Sequence, residues 1–496
     1  MSAPYLNGQR TDAPNVLMVM TDQHRADLSA AEGYPLDTMP FLDGLAASGT
    51  RFRRGYTTAP ACVPARTSLV TGRFPSAHRV RQNSAVPEVL RGEDLLDVLR
   101  DAGYGLHFAG KTHVYRNGED DYDSFSGPYW HVQAPDRTDE EERFSAWLRS
   151  IDHGPTSEPT PFPLEVQYPY RIVSDMIASL RGRDRDKPFF SWVSLPEPHN
   201  PYQVPEPYFS MFGEQDLPDR ACGPEAAEAK GGAWRWLREV TEEKRPGYDD
   251  GWRRYRASYL GMLRLIDDQL RRLIGFLEED GVLRETIIVF ISDHGDYVGD
   301  YGLQRKGAGM PEALMRIPFM ITGPGVAARD NHDDFVSLVD VFPTLCEAVG
   351  RPIPYGVQGR SLWPMLTGET YPAAEFDSIY AERGYGGLPY DADERPALHF
   401  SYDGEVYDEL NSVTQSGTSR MLRHDHWKLI YHVTGDVELY DVDADPMELT
   451  NLEADPAVAH VRAELMERLL RWSTRVVDDL PVAAYTPKRA PHNWHA

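Results

Sequence analysis

The sequence predicts an α/β fold, with a mostly parallel central sheet covered by helices on both faces and a smaller C-terminal α+β subdomain with an antiparallel sheet. Three observations carry this. Short, continuous apolar runs such as Asn15–Met20 and Thr286–Ile291 suit strands buried on both faces. Between such runs, apolar residues recur every three or four positions, as in helices that present one stripe to a core. After about residue 375 the texture changes to short alternating runs and a closing helix, which divides the chain into 1–375 and 376–496.

In chain order, the Asn15–Met20 strand ends in Thr21-Asp22-Gln23-His24-Arg25. A helix opens at Thr38-Met39-Pro40, runs through Phe41, Leu42, Leu45 and Ala46, and stops by Gly49. Pro64 then marks the first turn of another helix, where its missing N–H costs nothing, and Gly72 ends it. Cys62 therefore falls at a helix N-terminus, whose free N–H groups and positive dipole end favour an anion. A third helix covers Glu93–Ala102 and leads into the strand Gly105–Ala109, which ends in Gly110-Lys111-Thr112-His113.

Residues 115–170, rich in Asp, Glu, Pro and Tyr, read as a long insertion of weak periodicity. Pro188–Leu195 is the next strand and ends in Pro196-Glu197-Pro198-His199, and a second irregular stretch covers 201–250. Leu263, Ile266, Leu270, Leu273, Ile274 and Leu277 mark the clearest helix. Thr286–Ile291 ends in Ser292-Asp293-His294-Gly295, and Ile317–Ile321 is a strand whose Pro318 places it at an edge or at its own start. In the C-terminal unit, Trp427–Tyr431 and Val437–Tyr440 form a hairpin, and Val461–Trp472 closes the chain.

Composition narrows the function classes. The 496 residues suffice for a large core, and the net charge of −26 argues against nucleic acid or an anionic membrane as partner. Three scattered cysteines, Cys62, Cys222 and Cys346, give neither a disulfide framework nor a zinc site. The first ten residues lack the apolar core of a signal peptide and no run reaches membrane-spanning length, so the expected location is the cytoplasm.

In open α/β sheets, functional residues gather beyond the carboxyl ends of the strands. Four strands here end in polar tails: Asp22-Gln23, Lys111-Thr112-His113, His199 and Asp293-His294. Taken singly, an Asp after a strand is a helix cap and a lone His is hydrogen-bonded filler; converging with Cys62 on one sheet edge, they make a site. Two carboxylates, an amide oxygen and one imidazole suit a hard divalent cation such as calcium and do not forbid manganese or magnesium.

The spacing Cys62-x-Pro64-x-Arg66, with Leu69-x-Thr71-Gly72-Arg73 after it, resembles the signature of type I sulfatases, of the alkaline phosphatase superfamily. Asp22-Gln23 and Asp293-His294 match that family's two pairs of metal ligands, and the stretch from Gly103-Tyr104 to His113 resembles its second signature, although Leu106 stands where a small hydroxyl residue is usual. Ala65 replaces the commoner serine of the first signature. The likeness runs from about Asn15 to Leu452.

The resemblance implies that Cys62 is oxidised by a formylglycine-generating enzyme. It further implies that the formylglycine hydrate is both nucleophile and metal ligand beside Asp22, Gln23, Asp293 and His294. By the same resemblance, Arg66 holds the hydrate, Lys111 binds sulfate oxygens, His113 is the base that releases sulfate, and His199 and Lys306 assist the leaving atom. Asn83 contacts substrate. The expected activity is hydrolysis of a small anionic sulfate ester or sulfamate. A phosphonate monoester or phosphodiester hydrolase uses the same donors, and a non-catalytic anion- or metal-binding protein keeps Cys62 unmodified.

Two stretches imitate metal sites. Asp441-Val442-Asp443-Ala444-Asp445 begins like a calcium loop, but Pro446 and Leu452 replace the required glycine and glutamate. His424-Asp425-His426 reads as a turn before the Trp427 strand. Trp130, Tyr129, Tyr168, Tyr170, Trp234 and Trp236 suit either substrate stacking or packing of the insertions. Sugar, choline and aryl sulfates, and the oligomeric state, stay open.

Overall fold

A computed structural model describes residues 13–83, 89–130, 133–152, 154–391, 393–396, 409–477 and 488–495. The first ten residues, read above for a leader, lie outside these. Eight strands form the main sheet: β1 (Asn15–Thr21), β2 (Thr50–Tyr56), β3 (Gly105–Gly110), β4 (Ser124–Ser126), β5 (Phe189–Ser194), β6 (Thr286–Ser292), β7 (Phe319–Thr322) and β8 (Arg329–Ser337). Their order is β4-β3-β5-β1-β6-β7-β2-β8.

From β4 to β6 every pairing is parallel, and β7 runs antiparallel to both β6 and β2. Successive side chains of a strand point to opposite faces, so a central strand must be apolar throughout. Leu17, Val19, Ile288 and Phe290 enter the core on one face, under the helices Tyr168–Arg181 and Trp252–Glu279. Val16, Met18, Met20, Ile287, Val289 and Ile291 enter the other, with Leu69 and Val70 of the helix Cys62–Thr71. Pro318 lies just before β7, where its missing N–H breaks no ladder bond, so the strand-start reading holds and the edge reading does not.

The pairing register sets the position of the site. Gly110 is level with Ser194, Ser194 with Met20, and Met20 with Ile291. The tails of β3, β5, β1 and β6 therefore leave the sheet at one height and on one edge.

The two stretches expected to be irregular are more ordered than their composition suggests. The first holds the helix Asp139–Ser150, started by a reciprocal cap between Thr138 and Glu141. The second holds the helices Pro224–Ala229 and Gly232–Lys244. Strands β2 and β8 are not legible in the sequence, because Arg51, Arg53 and Arg54 interrupt the first and His332, Asp333 and Asp334 the second. Charge suits β8, which is the open edge of the sheet.

A separate four-stranded antiparallel sheet, in the order β12-β11-β10-β9, comprises β9 (Ser378–Arg383), β10 (Ser419–His424), β11 (Trp427–His432) and β12 (Val437–Asp441). The helix Ala459–Val476 covers it with Leu465, Leu469 and Trp472. His424-Asp425-His426 is the turn between β10 and β11, with Asp425 at φ +50°. Among the described residues, no helix is long and apolar enough to cross a membrane.

Candidate active site

Asp22, Cys62, Asp293 and His294 place one ligand atom each within 4.8 Å of one another, and all four are buried. Asp22 comes directly after β1, and Asp293 and His294 directly after β6, the neighbouring strand in the sheet. Cys62 is the first residue of its helix, 1% exposed, with Sγ 3.2 Å from His294 Nε2 and 3.7 Å from both Asp22 Oδ1 and Lys111 Nζ. Burial and the Asp22 charge push the Cys62 thiol up to about 12. As a thiol it is thus a poor nucleophile at neutral pH.

Arg66, one turn along the same helix, is fully buried and clamps both carboxylates: Nε donates to Asp293 Oδ2 at 2.8 Å and Nη2 to Asp22 Oδ2 at 3.0 Å. Its Nη1 donates to Ser194 Oγ. Arg66 is thus placed on the acids rather than on Cys62. Against burial, Lys111 and Arg66 hold Asp22 well below the usual carboxylate range, whereas burial and the Asp22 charge push Asp293 up to about 7. Two buried carboxylates so arranged, with an imidazole and a sulfur completing the ring, fit a divalent cation, because a charge between them removes the repulsion that raises Asp293.

The imidazole is set for the same task. His294 Nδ1–H donates to Gly295 O at 2.8 Å, leaving the Nε2 lone pair facing Cys62, and burial pushes the ring down to about 3, so it is neutral. Gln23 sits at φ +60°, a conformation that costs a non-glycine residue about 1 kcal/mol or more. Its N–H donates to Asp293 Oδ1 and its carbonyl accepts from Tyr259, which hold the turn. Its amide is oriented at both ends: Nε2 donates to Asp296 Oδ2 at 2.7 Å, and Oε1 accepts from Lys306 Nζ at 2.5 Å.

The remaining cations surround this ring. Lys111 Nζ lies 2.5 Å from Asp22 Oδ2, and its backbone N–H donates to Ser194 O. A Cβ on Gly110 would stand 1.8 Å from that same Ser194 carbonyl, so only glycine lets β3 deliver the lysine. His113 is half-buried, with Nδ1 lacking a hydrogen-bond partner, and burial together with the Lys111 charge lowers its pKa well below the ordinary value. His199 Nδ1–H donates to Asn200 O at 2.7 Å, which turns Nε2 toward Lys306 Nζ at 3.4 Å. Asn83 Oδ1 accepts from Val63 N–H at 3.0 Å, placing the amide against the start of the Cys62 helix.

Residues 14–351 match the family described as Sulfatase. The chain belongs to the sulfatase family. It is 31% identical, over 92% of its length and 95% of the relative's, to a multifunctional alkaline phosphatase superfamily protein, PehA, of Trinickia caryophylli. It is 29% identical to an arylsulfatase of Clostridium perfringens, over 88% and 90% of the two chains. The crystal structure of a phosphonate monoester hydrolase of Agrobacterium radiobacter superposes with a TM-score of 0.74 and 28% identity, covering 93% of this chain and 96% of that one.

Four residues of this sulfatase are unmarked in the sequence or undecided there. Ser194 is an inconspicuous strand end whose hydroxyl links Arg66 to the Lys111 carbonyl. Asp296 fixes the amide of Gln23 and carries a signal, since it closes the Asp293-His294-Gly295-Asp296 run. Glu409 lies 3.0 Å from Lys306 Nζ and 3.3 Å from Arg305, and nothing near it in the sequence announces that. Trp130 is the wall of the site: Lys111 Nζ stands 3.6 Å from its ring centre, and the rings of His113 and His199 each lie 4.7 Å from it. By contrast, Tyr129 and Tyr168 are core residues, Trp234 packs against the rings of Tyr297 and Tyr301, and Trp236 is buried in the same cluster.

Proposed function

We propose that this chain is a metal-dependent sulfatase that hydrolyses a sulfate ester or sulfamate and releases inorganic sulfate. The observation that carries the reading is Cys62, at a helix N-terminus, with its sulfur inside a ring of two carboxylates and an imidazole and in reach of Lys111. Formylglycine made from Cys62 supplies an oxygen nucleophile there. A divalent cation held by Asp22, Gln23, Asp293 and His294, with calcium preferred for its oxygen ligands, supplies charge that draws sulfate oxygens and acidifies the nucleophile.

The chain's own groups do the rest. Lys111 holds the anion, and Arg66 keeps both carboxylates in register. His113, neutral with a free Nδ1 lone pair, accepts a proton as sulfate departs. Lys306 and His199, 3.4 Å apart, hand a proton to the leaving oxygen or nitrogen. Asn83 steadies both the helix start and the substrate. Trp130 excludes water from the side that Lys111, His113 and His199 share. The three unbridged thiols support a reducing compartment, the cytoplasm, where a formylglycine-generating enzyme must act on the chain.

Likeness to a phosphonate monoester hydrolase of known structure favours a second reading, in which the same donors receive a phosphonate monoester or phosphodiester. Side-by-side turnover of 4-nitrophenyl sulfate and a phenylphosphonate nitrophenyl ester separates the two. A higher kcat/KM on the sulfate supports the first reading and the reverse order supports the second. An intact mass showing only the unmodified thiol, after expression beside the modifying enzyme, would leave a non-catalytic binding protein.

A further inference from the structure

Away from the metal ligands, a cavity of about 670 Å³ opens between the helix Gly232–Lys244, the β11–β12 turn and the end of β9. None of the residues assigned above to the catalytic site lines it. At its inner wall lies Arg383, 9% exposed. Its Nη2 donates to the backbone carbonyls of Thr414 and Gly307, its Nε–H has no hydrogen-bond partner, and no carboxylate pairs with it among the described residues. A buried guanidinium whose hydrogen bonds all go to neutral carbonyls is only partly compensated, by the nearby charge of Glu438, and such a buried charge favours a directly bound counter-ion.

Three of the acids around the cavity are already engaged. Glu438 accepts from His432 and Tyr440, Glu448 from Lys428, and Glu453 pairs with Arg462. Lys230, also on the cavity wall, makes no ion pair with a carboxylate among the described residues and lies 4.7 Å from the centre of the Tyr440 ring. The mouth carries two exposed apolar side chains beside the exposed Asp436: Val433 is 51% exposed and Leu449 46%. Charge at the bottom and oily surface at the rim describe a ligand with an anionic head and an apolar body. Burial lowers the pKa of Arg383 against the opposing charge of Glu438.

We propose that this cavity is a second binding site, for a small organic anion whose carboxylate, sulfate or sulfonate head meets Arg383 and Lys230 while its apolar part lies against Val433 and Leu449. The head would also bear on the catalytic side, because Arg383 and Gln415 both donate to the carbonyl of Gly307, the residue after Lys306.

Titration of the full-length protein with 4-fluorobenzoate, read by fluorine NMR, tests this. Saturable binding near about 1 mM is expected, weakened about tenfold in Arg383→Gln and in Val433→Asp, and changed less than about twofold in Lys111→Ala. Val433→Asp sits on the surface and keeps the test open if Arg383→Gln does not fold. Absence of saturation up to about 10 mM overturns the proposal, as does wild-type affinity in Val433→Asp. Loss of binding in Lys111→Ala also overturns it, by placing the anion at the metal centre.

Discussion

Glu409, from the C-terminal third of the chain, lies 3.0 Å from the ammonium of Lys306. It also faces Arg305 at 3.3 Å. Against burial, these two cations hold Glu409 down at about 2, so it is ionised throughout the working range. Removing one partner of such a pair leaves a buried charge, which costs about 3 kcal/mol or more. Glu409→Ala should therefore lose about that much stability. Glu409→Gln should fold better yet turn over aryl sulfate at least about tenfold more slowly, because Lys306 loses the charge that orients it. Urea titration and steady-state kinetics on both variants check this, and unchanged kcat in Glu409→Gln would mean that Lys306 does not depend on the Glu409 charge.

Trp130 meets three site groups at once, so its loss should be felt in both steady-state constants. Trp130→Ala should lower kcat/KM by about tenfold or more, by withdrawing the ring from Lys111 and wetting His113 and His199. Trp130→Phe keeps an aromatic face and should recover most of the loss. Comparison of aryl with alkyl sulfates shows whether the ring also touches the leaving group.

Replacement of Cys62 tests the nucleophile. Cys62→Ala should reduce turnover by at least about a thousandfold, with folding retained, since alanine fits the start of a helix. In the wild-type chain made beside the modifying enzyme, the intact mass should fall by about 18 Da, as thiol becomes aldehyde.

Chelation should act on stability as well as on rate. With Asp22 and Asp293 facing one another, a bound cation at about 100-fold excess over its Kd contributes about 2.7 kcal/mol to the folded state. Treatment with EDTA should lower the thermal midpoint and abolish turnover. Calcium is expected to restore both better than magnesium, and restoration by manganese alone would change the assignment of the metal.

A distant network gives a pH-dependent prediction. Glu312 accepts from Lys428 at 3.0 Å and from the hydroxyl of Tyr56, joining the catalytic part to β11. Burial opposes ionisation, but Lys428 and Arg423 hold Glu312 down at about 2, while burial raises its neighbour Glu448 on the same lysine. A carboxylate depressed on folding stabilises above its unfolded value of about 4.5 and loses that contribution as pH falls toward about 2. Stability should thus drop by up to about 3 kcal/mol between about pH 5 and pH 2 through this residue. The wild-type advantage over Glu312→Gln, measured in urea, should shrink over the same interval.

The parts of the site that are legible in the sequence share a cause. Asp22, Lys111, His199 and Asp293 each come after an apolar run, and a buried parallel strand is the easiest element to read, because both of its faces must be apolar. Their convergence is then a matter of topology. Glu409 and Ser194 carry no such marker, since their roles depend on contacts with residues far along the chain. Helix Asp139–Ser150 is a different case: Thr138 and Glu141 form a readable cap, but the acidic first turn hides it within a stretch of irregular composition. Strand β8 escapes because charge at an open edge serves solubility rather than burial, and β2, one place further in, because Arg51, Arg53 and Arg54 interrupt its apolar run.

The adjacency of β1 and β6 has a consequence for synthesis. At roughly 5 to 20 residues per second, the stretch of chain from Asp22 to Asp293 takes a ribosome about 15 to 50 s to add. During that interval β1 lacks both neighbours until β5 is made and lacks β6 throughout, and the segment bearing Cys62 has yet to meet the strand that will enclose it. An enzyme that modified this sulfur would have to reach it on the growing polypeptide, because in the folded chain Cys62 is 1% exposed. Slowing translation between codons 62 and 286 should lengthen the opening, and circular permutants that bring β6 out first should shorten it.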